Sequence, residues 1–166
     1  MIDVHESLSK LVKVAEDDPC MELMSMQLES GIVMIENSIC DHYPSSVLDW
    51  NQYHFVNDLI IGDSNFQNVG NFQIDGLDQL TSLKIGKNSF TKNKNSYGND
   101  SSRSFHISNC IELQSIEIDN YSFSDYGGEF ELKNLPSLIS IKMGSYNFHH
   151  SSFKIKGILD NDIDNE

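Results

Sequence analysis

Phe72-QIDGLDQLTSLKIGKNS-Phe90, Phe105-HISNCIELQSIEIDNYS-Phe123 and Phe130-ELKNLPSLISIKMGSYN-Phe148 align without a gap. They share one apolar frame, F-x-I-x-x-L-x-x-L-x-S-I-x-I-x-x-x-x-F. Within it, S-[IL]-x-[IM] alternates apolar and polar, and a side-chain period of two sets Leu83 and Ile85 on one face, Ser82 and Lys84 on the other. That pattern predicts a strand. The shorter alternation Phe72-Gln73-Ile74 predicts a second strand on the opposite side of each copy. Gly62, Gly86, Asp119 and Gly144, which follow the first strand, suit a turn because Gly and Asp adopt turn geometry cheaply. Neither piece leaves room for a long helix.

The frame extends in both directions. Leu48-DWNQYHFVNDLIIGDSN-Phe66 places Leu48, Trp50, Tyr53, Val56, Leu59 and Ile61 at the apolar positions, and Phe153, Ile155 and Ile158 form a closing half copy. Leu23, Met26, Leu28 and Val33 read as a degenerate first copy. Counted at the Leu83 position, the register runs Met26, Leu59, Leu83, Ile116, Ile141, in steps of 33, 24, 33 and 25. The run 91–104, rich in Asn, Ser, Lys and Gly, reads as a polar loop inserted at a turn, with disorder the default for such an insertion. No copy can bury its apolar residues alone, so neighbours must stack and extend one interior, and the end copies need caps. Val4, Leu8, Leu11, Val12 and Ala15 recur at helical spacing, which predicts an amphipathic capping helix over 3–16. The organisation expected is a capping region over 1–47, repeats over 48–158 and an acidic tail over 159–166.

At Leu80, Leu83, Ile85, Asn88 and Phe90 the sequence resembles the leucine-rich repeat pattern L-x-x-L-x-L-x-x-N-x-L. The pieces Ile85 to Phe90 and Asn109 to Ile116 look most like the irregular BspA-like class. The resemblance implies a mostly β, right-handed leucine-rich-repeat solenoid with short parallel strands and an N-terminal helical cap, used for protein recognition or adhesion. Ser64, Tyr121 and Tyr146 stand where that family has the turn asparagine. Without it the turns must satisfy their backbone groups in another way.

Composition narrows the function. The chain of 166 residues carries a formal charge of −14, with nine acids against two lysines in residues 1–47. Such a chain repels phosphate backbones, so neither nucleic acid nor an anionic membrane is an expected partner. Three widely spaced cysteines, Cys20, Cys40 and Cys110, suit a reduced interior better than a disulfide framework. The acidic start MIDVHESLSKLVKV lacks the basic lead of a signal peptide, and no run approaches the roughly 18 apolar residues of a membrane span. A cytoplasmic location is therefore expected.

Chemistry-bearing motifs are sparse. The histidines His5, His42, His54, His106, His149 and His150 have no zinc-site spacing, and no CxxC accompanies them. Asp160, Asp162 and Asp164 lack the Gly and distal Glu of a calcium loop. No nucleophile elbow, phosphate loop or dinucleotide fingerprint occurs. The expectation is a non-enzyme without metal or cofactor. An enzyme reading would rest on scattered residues such as Cys40 and His106. Stacking instead lines up the outward strand positions, which makes Ser82, Lys84, Ser115, Glu117, Ser140 and Lys142 the candidate binding residues for a protein partner. Opposite charges facing each other across strands also stabilise sheets by about 0.2–1 kcal/mol, the competing account of Lys84, Glu117 and Lys142. A structural repeat fragment without a ligand of its own is the alternative function.

Overall fold

The computed structural model describes residues 18–158. Ten strands fall into two parallel five-stranded sheets that wind as a β-solenoid of about five turns. One sheet, sheet A, has the order β1 (Ile32–Ile35), β3 (Asp58–Ile61), β5 (Ser82–Ile85), β7 (Ser115–Ile118), β9 (Ser140–Met143). The other, sheet B, runs β2 (Val47–Asp49), β4 (Asn71–Asp75), β6 (Ser104–Ser108), β8 (Glu129–Lys133), β10 (Ser152–Lys156). Each turn therefore supplies one strand to each sheet, as the two alternating pieces of the frame require. Leu59, Leu83 and Ile116 are in register with one another and buried in a single core.

Aromatic rings set the spacing of that core. Phe66, Phe90, Phe123 and Phe148 form one stacked column with centroids 5.2, 4.8 and 4.8 Å apart. Phe72, Phe105 and Phe130 form a second, at 4.8 and 5.0 Å. The columns meet edge to face, as in Phe105 against Phe123 at 5.1 Å and 82°. Parallel strands lie about 4.8 Å apart, so a ring repeated at one frame position stacks on its copy at near-optimal distance.

The turns are tight, and their conformations are unusual. Ser64, Phe66, Asn88, Phe90, Tyr121, Phe123, Tyr146 and Phe148 all have φ between 49° and 62°. A left-handed non-glycine residue costs about 1–3 kcal/mol and persists only where its surroundings over-determine it. Here the residue between each pair does so. Asn65 accepts from the backbone N–H of Cys40 (2.8 Å) and donates to the Glu36 carbonyl (2.9 Å). Ser89 accepts from Asn65 N–H and donates to the Gly62 carbonyl, Ser122 repeats the pattern one turn on, and Asn147 donates to the carbonyls of Asp119 and Ser122. This ladder satisfies the turn backbone that the missing asparagines leave open, one residue beyond the position where the sequence pattern directs attention. At the opposite corner Gly76, Asn109, Asn134 and Gly157 occupy the left-handed region, the residue types that tolerate it best.

Gly62, Gly86 and Gly144 have a different reason from turn conformation. A Cβ on them would meet the backbone N of Asn37, Asp63 and Asn120 at 2.8, 2.7 and 2.6 Å respectively. Close approach of successive turns excludes a side chain at these three glycines, whereas Asp119 carries one at the matching place after β7.

Three expectations are corrected. The first strand is Ile32–Ile35, in which Val33 rather than Met26 pairs with Leu59, so the steps are 26, 24, 33 and 25. Met26 instead ends helix α1 (Pro19–Met26) and is exposed. Asp18 caps that helix through Cys20 and Met21 N–H, with Pro19 at its first position, the residue types that start helices. The Gln27 side-chain amide both accepts from Met34 N–H (2.6 Å) and donates to its carbonyl (3.1 Å), closing the free edge of β1. The predicted helix over 3–16 and the acidic tail from 159 lie outside the described residues.

The second correction concerns the insertion, which is built into the fold. The guanidinium of Arg103, 3% exposed, donates to the carbonyls of Gln67 (2.9 Å), Val69 (3.0 Å) and Phe90 (3.2 Å). It stands 3.5 Å from the buried Asp125 carboxylate and over the Tyr126 ring. Thr91 bonds Ser124 at 2.7 Å, and Lys94 pairs with Asp41 across 53 residues at 2.8 Å.

The third is that Cys20 and Cys40 are joined by a disulfide, tying α1 to the first turn. Cys40 fills the place that Phe66, Phe90, Phe123 and Phe148 hold in later turns, where a smaller residue leaves space for Cys20 to reach it. Cys110 is a free, buried thiol, and burial raises its pKa. Replacing both Cys20 and Cys40 with serine is expected to destabilise the chain by about 3 kcal/mol, the chain-entropy value for a loop of this order. Chemical denaturation of the two forms checks this; equal midpoints would show the bridge to be dispensable.

Candidate functional site

The outer face of sheet A gathers the candidate residues in one place. In-register pairing aligns Ser82, Ser115 and Ser140 in one row and Lys84, Glu117 and Lys142 in the next. The second row is exposed and the first half-buried. Turn spacing has no part in this order: the insertion adds its residues at a corner, and the strands on either side stay paired residue for residue. Ser82 is partly engaged already, donating to Asp58.

Among the described residues no ion pair joins Lys84, Glu117 and Lys142. The ion pairs that form lie elsewhere, at Lys94–Asp41, Arg103–Asp125, Lys154–Glu129 and around His106. The three charges therefore stand in alternating order without being consumed by one another.

Toward the first turn the same row becomes apolar. Met34 and Ile60 continue it, and Ile32 lies beside Asp58 in the adjoining row. Ile32 and Met34 are about half exposed, and a shallow depression is lined by Met34, Ile35, Glu36, Asn37, Ile60 and Gly62. Sequence reading missed Ile32 and Met34 because the register was set on Met26, which assigned Ser25 and Gln27 to these rows. The signal was present: Ile32-Val33-Met34-Ile35 alternates as the later strands do, and Ser38 and Cys40 stand where Ser64 and Phe66 follow the next strand.

Sheet B carries a more polar outer face. His106 pairs in register with Gln73 on one side and Glu131 on the other, and Glu131 with Lys154. His106 Nδ1 is 3.9 Å from a carboxylate oxygen of Glu129 and 3.9 Å from one of Glu131. Lys154 pairs with Glu129, and this ammonium holds the Glu129 carboxyl below the usual carboxylate range while its own pKa is raised. At the corner beside sheet A, Tyr97, Tyr146 and Tyr121 stack at 5.7 and 5.0 Å, so the repeat-position tyrosines pack on one another at the surface.

Among the described residues no serine or cysteine side chain is hydrogen-bonded to a histidine. Cys40 is bonded to Cys20, and His106 faces only polar and charged side chains. Among the described residues no helix is long and apolar enough to cross a membrane. The chain matches no family model, no curated protein and no solved structure.

Proposed function

We propose that this chain is a non-enzymatic protein-interaction module that presents the outer face of sheet A to a protein partner. The observation that carries the reading is the row Met34, Ile60, Lys84, Glu117, Lys142: apolar at one end, charged at the other, with no ion pair at its charges among the described residues. An apolar centre with a polar margin is how protein interfaces are built, and open charges of alternating sign set the register of a partner. The resemblance to irregular leucine-rich repeats supports the same use. The acidic composition favours a partner with basic surface over nucleic acid or anionic lipid.

The test uses photo-cross-linkers placed singly on the sheet A face and on the sheet B face, followed by binding of the purified partner. The partner is expected from the sheet A positions alone. The triple variant K84E/E117K/K142E is expected to bind it at least about tenfold more weakly, with the melting temperature moved by no more than about 2 °C, as for exposed substitutions. Equal loss of binding and stability would make the row structural.

A second reading, a structural repeat fragment without a ligand of its own, is favoured by the last turn, where Ile141, Met143, Phe153 and Ile155 are exposed although their counterparts in earlier turns are buried. Cross-linking that finds no partner on either face would favour it. A cytoplasmic site of action requires Cys20 and Cys40 to be reduced in cells, since their disulfide suits an oxidising compartment; alkylation at the moment of lysis distinguishes the two.

A further inference from the structure

Apart from the sheet A reading, the geometry points to a divalent metal site on sheet B, formed by His106, Glu129 and Glu131 and suited to a borderline cation such as Zn²⁺. One ligand atom from each side chain can be chosen so that all three lie within 4.8 Å of one another. Parallel register sets His106 directly opposite Glu131, and the strand period returns Glu129 to the same face two residues earlier. The three side chains belong to two adjacent strands in the middle of a five-stranded sheet, which fixes their Cα positions.

The centre of the cluster is the imidazole. Its Nδ1 stands 3.9 Å from each carboxylate, too far for a hydrogen bond, and no hydrogen bond to it forms among the described residues. Donor atoms bound tetrahedrally at about 2.1 Å from zinc are about 3.4 Å apart. The two His106 separations thus need to close by about half an ångström around the ion, and the widest separation in the set, up to 4.8 Å, by about 1.4 Å. The side chains are between 27% and 31% exposed, so the closure falls to χ rotations of the two glutamates, and water can complete the shell. One neutral nitrogen and two carboxylate oxygens suit zinc better than calcium, which prefers oxygen ligands alone.

Lys154 is the internal competitor. Its ammonium pairs with Glu129 from the next strand, so a metal must take that carboxylate from a cation already beside it. This gives the site a signature that a merely polar surface lacks: removing Lys154 should strengthen metal binding, whereas removing any ligand should weaken it.

The experiment is calorimetric titration of the whole chain with Zn²⁺ alone, near neutral pH. One saturable event is expected for the wild type. His106→Ala and Glu131→Gln should each lower the affinity at least tenfold, and Lys154→Met should raise it several-fold. The double variant H149A/H150A, which removes the adjacent histidine pair at a corner away from the site, should leave it unchanged. All four variants alter surface side chains, and circular dichroism confirms that the fold is retained. Absence of saturable binding, binding unaffected by His106→Ala, or binding lost in H149A/H150A would each overturn the site. A Lys154→Met variant that binds zinc no more tightly than wild type would overturn the role given to Glu129.

Discussion

Replacing Phe105 with alanine is expected to remove about 4 kcal/mol of stability, within the range for a large aromatic in a packed core. Phe105 is fully buried and is stacked on Phe72 at 4.8 Å and on Phe130 at 5.0 Å, with Phe123 and Phe148 presenting their edges. The ring is thus held from both neighbouring turns and from the second column, and no single neighbour can move into the hole without leaving its own stack. For a chain of this size the loss corresponds to a melting temperature lower by about 10–15 °C. Its position adds a second effect. Stability in a solenoid is close to a sum of turns and nearest-neighbour interfaces, so a defect in the middle uncouples the turns before it from those after it. The thermal transition should broaden or split as well as shift. Phe153→Ala, on the exposed last turn, should cost far less and leave the transition sharp. Calorimetric scans of both variants decide this; equal shifts would show that the columns do not transmit stability between turns.

Replacing Arg103 with methionine is expected to cost about 3–5 kcal/mol, the penalty for stripping the partner from a buried charge. The substitution leaves Asp125 without its cation in a site where both side chains are nearly inaccessible, and three carbonyls lose their shared donor. Arg103→Lys should recover only part of the loss, because one ammonium cannot stand both beside Asp125, which Nε faces, and at the Gln67, Val69 and Phe90 carbonyls, which a terminal guanidinium nitrogen reaches. Pairing Arg103→Met with Asp125→Asn should be less damaging than Arg103→Met alone, since the uncompensated charge is gone. Urea denaturation of the series measures these differences. If Arg103→Met unfolds within about 1 kcal/mol of wild type, the penalty for an uncompensated buried charge does not apply, and the insertion is a passive loop.

The strands were legible because two alternations recur at fixed distances, and a recurring phenylalanine marks each turn whatever its loop length. That signal gave the two sheets, the common interior and the rows Ser82–Ser115–Ser140 and Lys84–Glu117–Lys142. It failed at the first turn, where Cys40 replaces the marking ring and the helix that ends at Met26 has apolar residues at spacing that mimics the frame. The pairing of Cys20 with Cys40 was hidden for the same reason: their sequence separation of 20 becomes proximity only once Met26 is assigned to the helix and Val33 to the strand. The insertion misled through composition. Its many Asn, Ser and Lys residues suggest a free loop, yet one buried arginine and one buried threonine anchor it. His106, Glu129 and Glu131 were invisible as a group because 22 residues, many of them a strand and two corners, separate the histidine from the first acid; only parallel pairing makes them neighbours.

The amide of Gln27 imitates a peptide unit and so occupies the hydrogen-bonding groups of Met34. Among the described residues β9 and β10 are the last strands of the two sheets. The front of sheet A thus carries a stop, as a zipper does. Pairing another strand on β1 would first require evicting a side chain that already satisfies the backbone there. That edge is therefore guarded: a second chain that approached β1 to extend sheet A would have to compete with an amide tethered seven residues away.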